Sequence, residues 1–365
     1  MSKSTIPAVE TRGLAKHYGD VVALKNVDLT IGAGEYFVLL GPSGGGKTTL
    51  LRTIGGFHKP THGEVLLHGK EVGHLPPDKR PTTMVFQAYA LFPHMTVLQN
   101  VGYGLTVAGM GKEQMREKSA AMLEVVGLSK FADRKPHELS GGQQQRVQLA
   151  RALVLDRDIL LLGEPLAALD AQLRKDMCLE LKHLQEQFGI TFIHVTHNQE
   201  EAMTVADRIA LVADGELVEH GNARDIYRAP ERTFTASFVG ENNILKGRIT
   251  AANGTTARVS VAGSEVVINK RGLDVLDGQD VNLSIRSECV AMARMEDSAP
   301  TNGAEIIATY DESVYLGLTT SHIVHLSDGT EVVSRVISDG FDELPAKGEQ
   351  VRLSWVPETL RLHVN

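Results

Sequence analysis

Cysteine is almost missing from this chain: its 365 residues include two, Cys178 and Cys289, far apart. Two separated thiols can build neither a disulfide framework nor a cysteine metal cage, and they fit a reducing compartment. A basic excess is also missing, since 37 Lys and Arg stand against 45 Asp and Glu, for a formal net charge of -8. Phosphate-backbone binding normally shows as a positive surplus, so nucleic acid is not expected as a partner. No apolar run approaches the roughly 18 residues needed to cross a bilayer, and residues 1–13 lack the apolar stretch of a signal peptide. A function at a membrane would therefore need another subunit to do the spanning.

What the chain does have is enough apolar content, 42%, for one large domain and a smaller one. Tyr36-Phe37-Val38-Leu39-Leu40 stops at Gly41-Pro42 and reads as a buried strand. Residues 159–162, 190–195 and 209–213 read the same way. Between them Leu173, Met177, Leu181, Leu184 and Phe188 recur at helical spacing. Strands alternating with helices predict a mostly parallel α/β sheet. From about Ile244 the texture changes to short alternating runs broken at Asn253-Gly254, Asp277-Gly278 and Asp328-Gly329, the turn signals of antiparallel β structure. The expected domains are 1–235 and 236–365. Within the second, Val281-Asn282-Leu283-Ser284 is echoed by Val351-Arg352-Leu353-Ser354, and Glu288 by Glu358 at the same offset. Either a β unit is duplicated or two alternating strands share common residues.

Gly41-Pro42-Ser43-Gly44-Gly45-Gly46-Lys47-Thr48 is a full P-loop pattern between a strand and the helical run 49–54. Glycines let successive N–H groups turn inward around phosphates, Lys47 reaches the β- and γ-phosphates, and the Thr48 hydroxyl ligates Mg²⁺. A chance match in a chain this long is on the order of one in a hundred, which leaves little weight for an ordinary glycine-rich turn. The nucleotide contacts expected here are Ser43, Gly44, Gly45, Gly46, Lys47, Thr48 and Thr49.

A P-loop alone does not separate kinases, GTPases and transport ATPases. Leu139-Ser140-Gly141-Gly142-Gln143 does, because here the sequence resembles the ATP-binding cassette (ABC) family, whose LSGGQ signature meets the γ-phosphate held by a second copy's P-loop. Physically, Ser140 and the bare amides of Gly141 and Gly142 at a helix start make an anion site, with a simple helix cap as the plainer reading. The resemblance covers most of the chain up to about Gly240. It implies that Tyr18 stacks on adenine, that Gln87 in Gln87-Ala88-Tyr89-Ala90 touches Mg²⁺ and the attacking water, that Asp170 in Ala168-Leu169-Asp170 faces the partner copy, and that His197 is the switch histidine. Glu164 is the implied general base. One position departs: Ile159-Leu160-Leu161-Leu162-Gly163-Glu164 carries glycine where the family's Walker B strand ends in the aspartate that organises Mg²⁺.

The fold so implied is an α/β P-loop ABC cassette with a helical subdomain at about 88–158, followed by a C-terminal antiparallel β domain of OB-like, TOBE type. The implied activity is ATP hydrolysis by two cassettes that sandwich two ATP molecules, coupled to solute import through transmembrane permease subunits. A solute-binding protein, periplasmic or extracellular, is the implied indirect partner, and the cytoplasmic face of the inner membrane the implied place. Phe238-Val239-Gly240-Glu241-Asn242-Asn243 and Tyr315-Leu316-Gly317 look most similar to the polyamine (spermidine/putrescine) importer branch. Importers of aminophosphonates, iron or sugars remain alternatives, as does a nucleotide-binding regulator with weak hydrolysis on account of Gly163.

Overall fold

The computed structural model describes residues 6–86, 90–296, 304–338 and 344–364. Its contact pattern divides the chain into two units, Met1–Ala223 and Arg224–Asn365.

The first unit contains, in order, β1 (Val9–Tyr18), β2 (Val21–Ile31), β3 (Tyr36–Leu40), α1 (Lys47–Ile54), β4 (His62–Leu67), β5 (Lys70–Glu71), β6 (Thr82–Val85), α2 (Val97–Val107), α3 (Lys112–Val125), α4 (Gly141–Leu153), β7 (Ile159–Gly163), α5 (Ala171–Phe188), β8 (Thr191–Thr196), α6 (Gln199–Val205), β9 (Arg208–Ala213) and β10 (Glu216–Asn222). The four apolar runs singled out in the sequence are β3, β7, β8 and β9. They lie in a sheet of order β10-β9-β3-β8-β7-β6 in which only the β9–β10 pairing is antiparallel. Every residue of β3, β7 and β8 is buried, as parallel strands covered on both faces require. A second, antiparallel sheet has the order β2-β1-β4-β5. Between the two sheets Leu24, Val27, Phe37, Leu39, Leu50, Ile54, Val65, Leu161 and Val195 form one core.

Helices α2, α3 and α4 pack around a separate core of Val97, Val101, Leu123, Val126, Val147 and Ala150. Asn100 is fully buried there: its amide nitrogen donates to the carbonyls of Phe92, Met95 and Thr96, and its oxygen accepts from the Phe92 N–H. One side chain thus organises the turn that leads into α2.

The second unit opens with α7 (Ala223–Arg228), which starts at the division, and α8 (Thr233–Phe238). It continues as β11 (Asn242–Asn253), β12 (Thr256–Val261), β13 (Ser264–Asn269), β14 (Asp280–Arg286), β15 (Ala291–Arg294), β16 (Ala304–Tyr315), β17 (Thr319–His325), β18 (Glu331–Ile337), β19 (Gln350–Trp355) and β20 (Arg361–His363). Arg286 donates to the carbonyls of Tyr227 and Val239, and Asn242 to that of Ala236, which ties the α7–α8 segment to the strands behind it. All pairings are antiparallel, in two five-stranded sheets of order β13-β12-β11-β14-β20 and β15-β19-β16-β17-β18. Each turn signal holds a glycine at positive φ.

The sequence echo is structural. β14, a 3-10 turn at Ser287–Cys289 and β15 are repeated as β19, a 3-10 turn at Pro357–Thr359 and β20. The two copies exchange their last strands: β20 pairs with β14 through Leu283↔Leu362 and Ser284↔Arg361, and β15 pairs with β19 through Leu353↔Met292 and Ser354↔Ala291. The equivalent registers match, so each copy completes the other's sheet.

Candidate active site

β3 ends at Leu40 and the chain folds into a loop that enters α1 at Lys47. Two glycines shape that loop. A Cβ on Gly41, at φ 151, would stand 2.0 Å from the Val212 carbonyl oxygen, and one on Gly46, at φ 102, 2.7 Å from that of Ala23. No other residue fits either place without moving backbone. Gly46 is the N-cap of α1, with no side-chain cap and no acidic residue in the first turn. The first amides of the helix are therefore left to an external anion, on the positive end of its dipole.

Lys47 is buried, and its Nζ donates to the carbonyls of Gly41 at 2.8 Å and Pro42 at 2.7 Å. Burial pushes its pKa down, against the pull of the Glu164 charge. Ser43, Gly44 and Thr48 are exposed and Gly45 is buried. Thr49 is half-buried, with its carbonyl taken by the Thr53 hydroxyl. Tyr18, at the end of β1, is 43% exposed and carries the His58 ring edge-on at 5.6 Å and the Lys16 ammonium 4.9 Å from its centre. Half-exposed, it keeps surface free for a planar ligand.

β7 runs through Gly163, and the next residue, Glu164, has φ 52, a left-handed conformation unusual for a non-glycine residue. Its N–H is held by the Val195 carbonyl at 3.2 Å. Imposed backbone of this kind aims a side chain and costs of order 1–3 kcal/mol. The Glu164 carboxylate lies 3.6 Å from Nδ1 of His197, so the implied base and switch histidine meet. Gly163 itself has no positive φ; a Cβ there would meet Met84 Cε and the Val85 oxygen at 3.5 Å and Leu51 Cδ2 at 3.7 Å, all ordinary contacts. Neither conformation nor packing demands glycine at this position.

Beneath this pair lies a polar cluster that the sequence reading missed. Glu201 is 6% exposed; Oε2 accepts from the Thr196 hydroxyl at 2.6 Å and Oε1 stands 3.4 Å from Arg174 Nε, an ion pair without hydrogen-bond alignment. Burial raises the Glu201 pKa, while Thr196 and Arg174 pull it down. His194 is fully buried, with Nδ1 3.1 Å from the Tyr36 hydroxyl and Nε2 3.7 Å from Glu201, and burial lowers its pKa to about 3. The detectable signal was Asn198 with Glu201 three residues on: Asn198 caps α6 by accepting from the Glu201 N–H at 3.0 Å.

Ser140 caps α4. Its hydroxyl accepts from Gln143 N at 3.4 Å while the Gln143 side chain accepts from Ser140 N at 3.0 Å, a capping box. The plainer reading of this motif is therefore correct as local structure, and it leaves room for the other: Gly141 is half-buried, and the helix has no acid in its first turn. A Cβ on Gly142 would press on Leu173 at 3.2 Å, so its bareness also serves α4–α5 packing. Asp170 caps α5 by accepting from Leu173 N at 3.0 Å and is exposed. Gln87 lies outside the described residues. Among the described residues no group of three or more His, Cys, Asp or Glu is placed to hold a metal ion, and no helix is long and apolar enough to cross a membrane.

Comparison with known proteins agrees with this geometry. The ABC transporter family matches residues 24–167 and the TOBE domain family residues 283–362. The chain is 48% identical over 337 residues to the spermidine/putrescine import ATP-binding protein PotA of Roseobacter denitrificans, across 92% of this chain and 91% of the relative. Against the protein of the same name from Marinobacter nauticus it is 44% identical, across 94% and 91%. Among solved structures, a dimeric ATP-binding cassette in a post-hydrolysis state bound to ADP and phosphate is 37% identical with a TM-score of 0.53, covering 59% of this chain and 99% of that one. With a cassette fold, a P-loop, a serine–glycine helix start and relatives matched over nearly their full length, this chain belongs to the ATP-binding subunits of ABC transporters that carry a TOBE domain.

Proposed function

We propose that this chain powers uptake of a polyamine, spermidine or putrescine, through a transmembrane permease by binding and hydrolysing ATP between two of its copies. The observation that carries the nucleotide part is the uncapped start of α1, behind a loop whose Gly41 and Gly46 tolerate no side chain. There the triphosphate would lie against inward amides, with Lys47 exchanging loop carbonyls for phosphate oxygens. Ser140, Gly141, Gly142 and Gln143 of a second copy would close on the γ-phosphate, and Asp170 would face that copy. Glu164 would orient the attacking water and His197 hold that geometry, the protein supplying position and charge rather than a covalent intermediate. The Thr48 hydroxyl, with Gln87, would hold Mg²⁺, and the described residues fit an ion carried in with its phosphates rather than caged by protein carboxylates. When bound, that ion neutralises charge on the transferring phosphoryl group.

The solute rests on the names of the relatives, and a peripheral place on the cytoplasmic face of the inner membrane, with a solute-binding protein outside, on their description as import proteins. The test is ATPase activity of the chain reconstituted with its permease and binding protein. Stimulation by spermidine or putrescine supports the reading, and stimulation by an aminophosphonate, iron or a sugar instead would replace the solute. A second reading, a nucleotide-binding regulator with weak hydrolysis, is favoured by Gly163 alone. It would show as tight ATP binding without turnover in the same complex.

A further inference from the structure

His197 is the one exposed residue in a short run whose two neighbours are both anchored to Glu201, Thr196 to its carboxylate and Asn198 to its backbone N–H. Thr196, before it, donates its hydroxyl to Glu201 Oε2 at 2.6 Å; Asn198, after it, donates its N–H to the Thr196 hydroxyl at 2.9 Å and accepts the Glu201 N–H at 3.0 Å. Glu201 therefore sets the backbone on both sides of the ring that meets Glu164. Its other oxygen is paired with Arg174, in the first turn of α5. Arg174 Nη2 in turn donates to the Leu169 carbonyl at 2.8 Å, inside Ala168-Leu169-Asp170. A cavity of about 30 Å³, room for about one water, lies among Glu164, Ala167, Arg174, Thr196, His197 and Glu201. The route from the Ala168-Leu169-Asp170 turn to His197 thus runs through two charged side chains.

We infer that Arg174 and Glu201 are positioning residues that hold His197 against Glu164 and make that contact depend on the conformation of the Ala168-Leu169-Asp170 turn. Neither needs to touch nucleotide. The chemistry is a planar guanidinium used as a spacer: it faces the Leu169 carbonyl with Nη2 and the Glu201 carboxylate with Nε, two donors held apart in one rigid plane, whereas an ammonium carries all its donors on a single atom at the end of a flexible stem. Displacement of the turn, as when a second copy presses on Asp170, would pull on Leu169 and pass through Arg174 to the Glu201–Thr196 contact. This inference rests on the ATPase reading of the site.

The experiment compares wild type with Arg174→Gln, Glu201→Gln and the double variant, each alone and with His197→Ala, as the full chain in its assembled complex. Each single variant is expected to lower kcat about tenfold with KM for ATP within twofold, the double variant to fall no further, and neither to lower the residual rate of His197→Ala. Arg174→Lys should stay near Arg174→Gln. Multiplying losses, an equal further loss in the His197→Ala background, or a KM that rises in step with the fall in kcat would overturn it. A second readout is independent of turnover: the ring ¹H–¹⁵N signals of His197 should move in both single variants, and unmoved signals sink the inference whether or not the complex hydrolyses ATP. Absence of turnover in wild type and in Gly163→Asp, with the ring signals shifting as expected, would count against the ATPase reading and leave the positioning contacts standing.

Discussion

Gly163→Asp restores a carboxylate where the strand before Glu164 has none, and the structure states what it meets. Its Cβ enters ordinary contact with Met84, the Val85 oxygen and Leu51, at 3.5 to 3.7 Å, so no backbone has to move. Removing a carboxylate that supports a bound metal costs about 10- to 100-fold in affinity or activity, or about 1.4–2.7 kcal/mol. Restoring it should lower the Mg²⁺ concentration for half-maximal ATPase by a factor in that range. Position 163 is buried, with the Cβ against Met84 and Leu51, so without Mg²⁺ an added carboxylate there should cost stability or take up a proton. Thermal melts should therefore show Gly163→Asp below wild type in EDTA with nucleotide and recovering as Mg²⁺ is added. Gly163→Ala is the control: it has the Cβ without the charge, should gain up to about 1 kcal/mol from lost chain entropy, and should leave the Mg²⁺ curve unmoved. Identical Mg²⁺ curves for wild type and Gly163→Asp, or an equal shift in the alanine control, would refute the reasoning.

Gly46→Ala places a Cβ 2.7 Å from the Ala23 carbonyl at φ 102, so nucleotide affinity by fluorescence titration should fall at least tenfold; affinity within twofold would contradict the account of the loop. Ser140→Ala removes one side of the α4 capping box and should cost about 1 kcal/mol of stability in chemical denaturation. If the helix start also completes a partner's site, it should lower ATPase by more than it lowers single-chain nucleotide binding. Asn100→Ala leaves the Met95 carbonyl and the Phe92 N–H without their side-chain partner, while the Phe92 and Thr96 carbonyls keep the N–H groups of Met95 and Asn100, which predicts about 2–3 kcal/mol of destabilisation and faster hydrogen exchange across α2. His194, with a pKa of about 3 when folded against about 6.5 unfolded, refuses a proton that the unfolded chain accepts. Its stabilisation is complete above pH about 6.5 and is lost as pH falls towards 3, so the slope of urea midpoints between pH 7 and 5 should flatten in His194→Phe.

The parts of the site legible in sequence are those written in consecutive residues. The P-loop is one turn and one helix start, and the structure places its glycines in that turn and Lys47 and Thr48 at that start, as their order suggests; Ser140 with Gln143 announced a cap by spacing alone. The fully buried strands β3, β7 and β8 were plain because parallel strands covered on both faces show no polar interruption. Arg174, Glu201 and His194 gave no such sign: Arg174 meets Glu201 only because α5 and α6 flank the same end of β8, and a helical arginine in sequence looks like a solvated surface. Fully buried Arg80 was missed for the same reason; besides the nearby Leu75 carbonyl it donates to those of Thr53 and Ile54, contacts made by chain remote in sequence. The repeat in the second unit was half legible, since alternation marks the strands but not which copy each pairs with.

Gly163 also shows which function its substitution can and cannot affect. The residue keeps its place in the β7–β8 ladder opposite Val195, and the Glu164 N–H takes the same Val195 carbonyl. The backbone that forces Glu164 into its left-handed conformation therefore does not depend on the side chain before it. On the proposed reading, loss of the carboxylate would remove charge near the metal and leave the aim of Glu164 intact. A cassette damaged in its base would be slow at every Mg²⁺ concentration, whereas one lacking only this carboxylate should approach the rate of Gly163→Asp once Mg²⁺ is saturating. The difference between the two proteins therefore belongs in the half-saturation point for Mg²⁺ and not in the plateau.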